Sequence, residues 1–392
     1  MCKAWPLLLL LLLLPACGKR HAVGFDSTLG LDAALVPDLP RRTDLPPLPD
    51  LGPADQVMVH DLAPKPDAPQ DAGPSDLPDL SPSDLPADLM DQDVMDQTPV
   101  PDGPQPTWVE MLSGTPVLSD VWGLGAADVF AVGKSGTIRR FNGASWSTMT
   151  TYSSVDFRSV WGASASQVLA AGISGLLRFD GNSWSPSYNQ SINDIVGSSS
   201  ASNVYAVASS SYYPQIIHRP LSSPGPYWSS INLYSVTQEP LNALWVVSDT
   251  QMYAVGQNGT IIGCTAANCT SNAGWSAMTS GTSSHLTNIF GFSGSDIFTV
   301  GLGGTILHYD GSGWSQMAVN TSTYFYGVWG SSPTDVYAVG HPLFQPDESI
   351  FHYDGQSWSK APPPTVSYLN AVWGASAKDV FAVGNFNILR LK

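Results

Sequence analysis

Basic residues are scarce in this chain: 16 Lys and Arg stand against 32 Asp and Glu, a formal net charge of -16 over 392 residues. Phosphate binding requires a cationic face, so nucleic acid is not an expected partner. Long apolar runs are missing too. The one unbroken stretch, Leu7 to Leu14, is eight leucines, well short of the roughly 20 residues that a membrane-spanning helix needs. No serine nucleophile elbow, phosphate-cradling glycine loop or His-Glu-x-x-His zinc motif occurs, which leaves several common enzyme chemistries without their residues. Only four cysteines are present, and their positions say more than their number.

The acidity lies mostly in one segment. Residues 18–107 hold 17 Asp, no Glu and five basic residues (Lys19, Arg20, Arg41, Arg42 and Lys65). Residues 108–392 hold 15 acidic and 10 basic residues and are close to neutral. Between Asp32 and Pro106 stand 17 prolines, many in units such as Asp44-Leu45-Pro46 and Asp84-Leu85-Pro86. Proline fixes φ and removes backbone donors while the spread aspartates repel, so residues 17–107 are expected to form a disordered linker. At about 3.1 Å per residue in polyproline II, such a tether reaches on the order of 280 Å when drawn out. Calcium buffering is the alternative use of so many aspartates, but the segment lacks the glycine-containing loop motif of calcium sites.

At the N-terminus, Lys3 supplies a positive region, Leu7 to Leu14 an apolar core and Leu14-Pro15-Ala16-Cys17 a small-residue cleavage site. Those are the three parts of an export signal. The last phrase resembles the lipobox of bacterial lipoproteins. That resemblance implies a signal peptide over residues 1–16, a lipid on Cys17 that attaches the chain to a membrane, and a place in the cell envelope. By the sorting habits of that class, Gly18 after the acylated cysteine permits delivery to the outer membrane, which is the expected address. Pro15 is unusual in a lipobox, and ordinary secretory cleavage is the alternative. Cys2 leaves with the signal, so Cys264 and Cys269 remain in the body, where an oxidising compartment is expected to join them in a disulfide. A metal site would need about four ligands, and no His, Asp or Glu lies within ten residues of the pair.

From residue 108 onward one phrase recurs seven times: Leu-x-x-Val-Trp-Gly, a polar loop, Asp-Val-Tyr-Ala-Val-Gly, then Gly-Thr-Ile-x-x-Tyr-Asp-Gly-x-x-Trp. Its markers are Trp122-Gly123, Trp161-Gly162, Val196-Gly197, Trp245-Val246, Phe290-Gly291, Trp329-Gly330 and Trp373-Gly374, spaced 35 to 49 residues apart. A period of this size signals a radial or stacked array. Within the fifth copy, Leu286 to Phe290, Asp296 to Val300, Thr305 to Tyr309 and Trp314 to Met317 read as four short strands, by alternation and β-branched content. Asp310-Gly311, like Asn142-Gly143, Asp180-Gly181 and Asp354-Gly355, supplies a hairpin turn. The reading is all-β: a seven-bladed β-propeller of four-stranded blades over residues 108–392. The last copy stops after its third strand, and Trp108-Val109-Glu110-Met111 matches the fourth-strand phrases of other copies. The N-terminal strand is therefore expected to close the ring, which removes free sheet edges and leaves a monomer.

Asp335-Val336-Tyr337-Ala338-Val339-Gly340, followed by Phe351-His352-Tyr353-Asp354-Gly355-Gln356-Ser357-Trp358, resembles kelch-type repeats. The single glycine after the second strand departs from the double glycine of kelch. Asp-Gly-x-x-Trp also looks like a shortened Asp-box of sialidase-type propellers. The resemblance covers residues 108–392 and implies the fold; activity stays open, because propellers host enzymes and binding modules alike.

Aligned copies place Arg140, Arg178, His218, His308, His352 and Arg390 at one position of the third strand, and Asp128, Asp296, Asp335 and Asp379 at the start of the second. A multi-histidine metal or catalytic site is the bolder reading. A catalytic group is needed once, however, and recurrence in nearly every blade points to pairing within blades. The Trp-Gly tryptophans recur in the same way, which favours packing over sugar stacking. More informative are residues that do not repeat. The loops from fourth to next first strand carry Tyr152, Phe157, Tyr188, Tyr234, His285, Tyr324, Phe325 and Tyr368. Those from second to third strand, on the same face, carry Tyr212, Tyr213 and Phe344. Tyrosines and hydroxyls on variable loops of a rigid scaffold make an adaptable surface for a glycan or an envelope protein. No cofactor and no catalytic residue is expected. The function read from the sequence is an envelope-anchored, non-enzymatic binding or scaffolding module. The alternative is a propeller hydrolase or lyase acting on surface polysaccharide through loop carboxylates such as Asp156 or Asp347.

Overall fold

A computed structural model describes residues 106–198, 202–209, 213–223, 227–265, 269–345, 347–365 and 367–392. The expected export signal, Cys17 and the expected linker up to Gln105 lie outside the described residues, as does Tyr212. Seven four-stranded antiparallel sheets form the body, six of them running in chain order from an inner to an outer strand. In the first blade these are Leu118–Gly125, Asp128–Gly133, Ile138–Phe141 and Trp146–Met149. The second strand is buried from Val129 to Gly133 without alternation. Such a continuous apolar run suits a strand covered on both faces, and here adjacent blades supply the cover. The outer strand leaves Ser147 and Thr148 exposed, as an edge strand should.

The ring closes through the two ends of the repeat region. Trp108–Ser113 forms the outer strand of the seventh blade, antiparallel to Asn387–Leu391, with Trp108 opposite Leu391 and Ser113 opposite Asn387. Thr107 and Lys392 exchange backbone hydrogen bonds of 2.9 and 3.1 Å beside it. The core is divided among the gaps between blades. One cluster packs Phe130 of the first blade against Phe179 and Trp184 of the second, and the other gaps hold apolar clusters of their own.

The Trp-Gly phrase has a packing explanation. Each tryptophan ring lies over the glycine of the following blade: a Cβ built on Gly162 would stand 2.9 Å from Trp122, one on Gly374 2.5 Å from Trp329, and one on Gly123 2.7 Å from Trp373. Only glycine admits such an approach. The third blade has Val196 in place of the tryptophan, and the residue it faces in the fourth blade is Val246 rather than glycine, both in one apolar cluster. Ring and gap change together.

Two details refine the expected geometry. In the hairpin turns only the glycine is left-handed, as at Gly311 (φ +91°). The preceding aspartate acts through its side chain: Asp310 Oδ1 accepts the N–H groups of Ser312 and Gly313 at 2.8 and 3.0 Å. Those bonds, with one from the Ser312 hydroxyl, hold its carboxyl down to about 2. In the fourth blade Cys264 and Cys269 are joined by a disulfide, S–S 2.06 Å. Both are buried, and Trp275 Nε1 donates to the Cys269 carbonyl at 3.1 Å.

Candidate binding face and axial funnel

The ring of cationic and imidazole side chains belongs to the scaffold. Arg140 pairs with Asp128 at 2.7 Å, His308 with Asp296 at 2.8 Å, His352 with Asp335 at 2.7 Å, and Arg390 with Asp379, always within one blade. Each also sits opposite an aromatic of the second strand: Phe130, Phe298, Tyr337 and Phe381. His352 stacks on Tyr337 at 4.6 Å, and the Arg140 guanidinium lies 5.0 Å over Phe130. The pairs satisfy half-buried groups and lock strand register.

Around the axis a second polar set stitches blade to blade. An innermost strand has one edge without a ladder partner, so its backbone groups need side chains from elsewhere. Asn193 Nδ2 donates to the Leu241 carbonyl at 2.8 Å, Asn242 Nδ2 to Leu286 at 2.7 Å, Thr287 Oγ1 to Phe325 at 2.7 Å and Asn370 Nδ2 to Leu118 at 2.7 Å. One residue further along, the Asp120 carboxylate accepts the Val160 N–H at 2.8 Å and Asp194 that of Leu244 at 2.9 Å. Ser159, at the same level as the two carboxylates, donates to Asp194 at 2.9 Å. Burial raises the carboxyl of Asp120 to about 7 against the pull of its backbone hydrogen bonds, and raises Asp194 as well.

These side chains line a funnel of about 480 Å³ that opens on the face of the second-to-third and fourth-to-first loops. Its rim includes Lys134, Arg158, His341 and Asn385. The residue after the second-strand glycine is anchored through its backbone in four blades: the N–H of Lys134 reaches the Val117 carbonyl, that of Ile173 Asp156, that of Leu302 His285 and that of Asn385 Tyr368, at 2.8 to 3.0 Å. The side chains at this position differ from blade to blade, and Asn385 Oδ1 also accepts from Asn370 Nδ2 at 3.4 Å. On one wall His341 lies between Tyr326, at 4.6 Å, and Tyr368, at 5.4 Å, with Nε2 hydrogen-bonded to Asn370 at 2.8 Å. Burial lowers the His341 pKa despite that bond, so the imidazole is neutral at physiological pH. The far mouth of the channel, about 470 Å³, is lined by the Trp-Gly aromatics.

The aromatics singled out in the sequence divide three ways. Tyr152 is fully exposed, Phe344 79% exposed, and Tyr213, Tyr234 and Tyr368 about half exposed, all on the funnel face. Tyr213 and Tyr234 meet edge to face at 5.2 Å. Tyr188, packed on Trp228 at 5.7 Å, and Tyr324 are partly buried. Phe157 and Phe325 are not surface residues: they are 1% and 0% exposed because they occupy the first inner-strand position, which Leu118, Leu241 and Leu369 fill elsewhere. That position is apolar in every copy, so stricter alignment would have removed them. The loop carboxylates are engaged as well, Asp156 with the Ser135 N–H at 2.8 Å and Asp347 beside Lys360 at 3.6 Å. Sequence reading missed the funnel itself, together with Ile173 and Phe386. Its signal was present: after the invariant apolar residue of each inner strand come Ser119, Arg158, Asn193, Asn242, Thr287, Tyr326 and Asn370, polar throughout yet never the same for long.

The chain folds as a seven-bladed β-propeller closed by its own N-terminal strand. No family model matches it, and no curated protein matches it either. Among solved structures it is similar to YCF48 bound to D1 peptide, at 17% identity and TM-score 0.58, over 74% of this chain and 97% of that one. It is also similar to streptogramin B lyase, at 10% identity and TM-score 0.59 over 73% and 97%, and to the WD40 propeller domain of Doa1, at 12% and 0.56 over 73% and 96%. At these identities the likeness is one of fold.

Proposed function

We propose that this protein is an exported lipoprotein, held in the cell envelope through Cys17 and the Asp/Pro-rich linker, whose kelch-related propeller binds a glycan or protein without catalysing a reaction. One observation carries the reading. Ten large apolar side chains of the described residues are markedly exposed, and eight of them (Tyr152, Ile173, Tyr213, Tyr234, Leu343, Phe344, Tyr368 and Phe386) lie on the funnel face. Leu124 and Tyr227 alone lie on the other. Exposed apolar groups gathered on one face of a soluble scaffold mark a contact surface. The antiparallel register adds a direction, since Trp108 pairs with Leu391 at the far end of the last strand from the funnel loops. The chain therefore enters the propeller on the face opposite the exposed aromatics. YCF48, similar in fold, has been solved with a peptide bound. The test is a photo-crosslinking residue placed at Tyr152 or at Tyr227 in intact cells. Envelope adducts from Tyr152 and none from Tyr227 are expected; equal adducts from both would overturn the assignment.

A further inference from the structure

We propose that the axial funnel is a binding site for a carboxylate-bearing sugar, a uronic acid unit of an acidic glycan, held between the cations of Lys134 and Arg158 and the wall formed by Tyr326 and His341. The inference rests on the binding-face reading and names the ligand chemistry of its centre. Three features of the funnel lead to it. First, the cations are unexplained by the scaffold. Arg158 stands where other blades manage the same inner-strand stitch with Asn or Thr, and a guanidinium is more than that role needs. Lys134 is anchored by its backbone, its N–H reaching the Val117 carbonyl at 3.0 Å, while its side chain lines the cavity. Neither forms an ion pair among the described residues. Arg158 reaches only the neutral amide oxygen of Asn193. Two cations lining one cavity suit the oxygens of a carboxylate.

Second, that wall is aromatic and uncharged, the neutral imidazole of His341 lying between two tyrosine rings at 4.6 and 5.4 Å. Such a wall accepts the C–H face of a pyranose ring, and side-chain amides such as Asn242 can meet its hydroxyls as donor or acceptor. Third, the volume of about 480 Å³ lies within the roughly 300 to 1,000 Å³ of small-ligand sites. The buried carboxyls below do not oppose an anion directly, because Asp120 and Asp194 are turned to the N–H groups of Val121, Val160 and Leu244. A peptide fits less well. An extended backbone needs a free strand edge or an alternating row of donors and acceptors, and the inner-strand edges here are occupied by the stitches between blades.

Calorimetric titration of the full chain in mild detergent decides the matter, with trigalacturonate, its methyl ester and a tripeptide bearing a free C-terminus as probes. Trigalacturonate binds, and the ester binds roughly tenfold more weakly or worse, as loss of one charge-assisted contact predicts. Lys134→Gln weakens the acid by a similar factor without moving the melting temperature, and Tyr326→Asn, which installs the residue found at Asn193, Asn242 and Asn370, weakens acid and ester alike. No binding of trigalacturonate, equal binding of acid and ester, or tighter binding of the tripeptide would each overturn the proposal. Should the sugars fail while Tyr152 still crosslinks an envelope partner, the uronate assignment falls alone; should both fail, the binding face falls with it.

Discussion

A tryptophan can lie across a neighbouring backbone only where the residue beneath it has no Cβ, and at residue scale that constraint explains the Trp-Gly dipeptide. Trp122 over Gly162, Trp329 over Gly374 and Trp373 over Gly123 are contacts between successive blades, the last one crossing the point of closure. Where the third blade lacks the ring, at Val196, the fourth tolerates Val246. The pair should therefore be exchangeable as a unit. Val196→Trp alone drives an indole against the Val246 side chain and is expected to cost about 1 to 3 kcal/mol, the usual penalty of overpacking. Adding Val246→Gly should recover part of that loss even though glycine on its own weakens a strand. A double-mutant cycle by chemical denaturation measures the coupling, and strictly additive losses would show that the two positions do not face each other.

At the scale of the element, the inner strand is the unusual one. Its inward edge has no neighbouring strand, and carboxylates and amides from the preceding blade take that place. Asp120 is the most exacting of these stitches, because burial lifts its carboxyl to about 7 from an ordinary value of 3.8. The folded chain thus holds a proton there, over the interval between those values, that the unfolded chain releases. By linkage its contribution to stability is complete below about pH 4, declines as pH rises towards 7 and is flat above. Asp120→Asn removes the titration. The melting temperature of the native protein relative to that variant should fall between pH 4 and 7 and then level off; a constant difference across that window would contradict the assignment.

At the scale of the whole molecule, the fold was readable in advance because a propeller writes its architecture into sequence many times over. Seven copies average out local ambiguity, and the orphan strand at Trp108 showed where the ring had to close. The funnel was not readable, since its lining comes from single residues of different blades, from Lys134 to Asn385, brought together only by closure. Phe157 and Phe325 misled for the opposite reason: loop proximity suggested exposure, whereas strand position dictated burial. Closure also fixes polarity. The chain enters the propeller beside Thr107 and Lys392, on the rim opposite the exposed tyrosines. Circular permutation tests the closure. Joining Lys392 to Thr107 through a short linker and opening new termini in the fully exposed loop at Tyr152 leaves every strand pairing of the seven blades in place. An unchanged melting transition and trigalacturonate affinity are therefore expected. A large fall in melting temperature would mean that the ring depends on more than the pairing of Trp108–Ser113 with Asn387–Leu391.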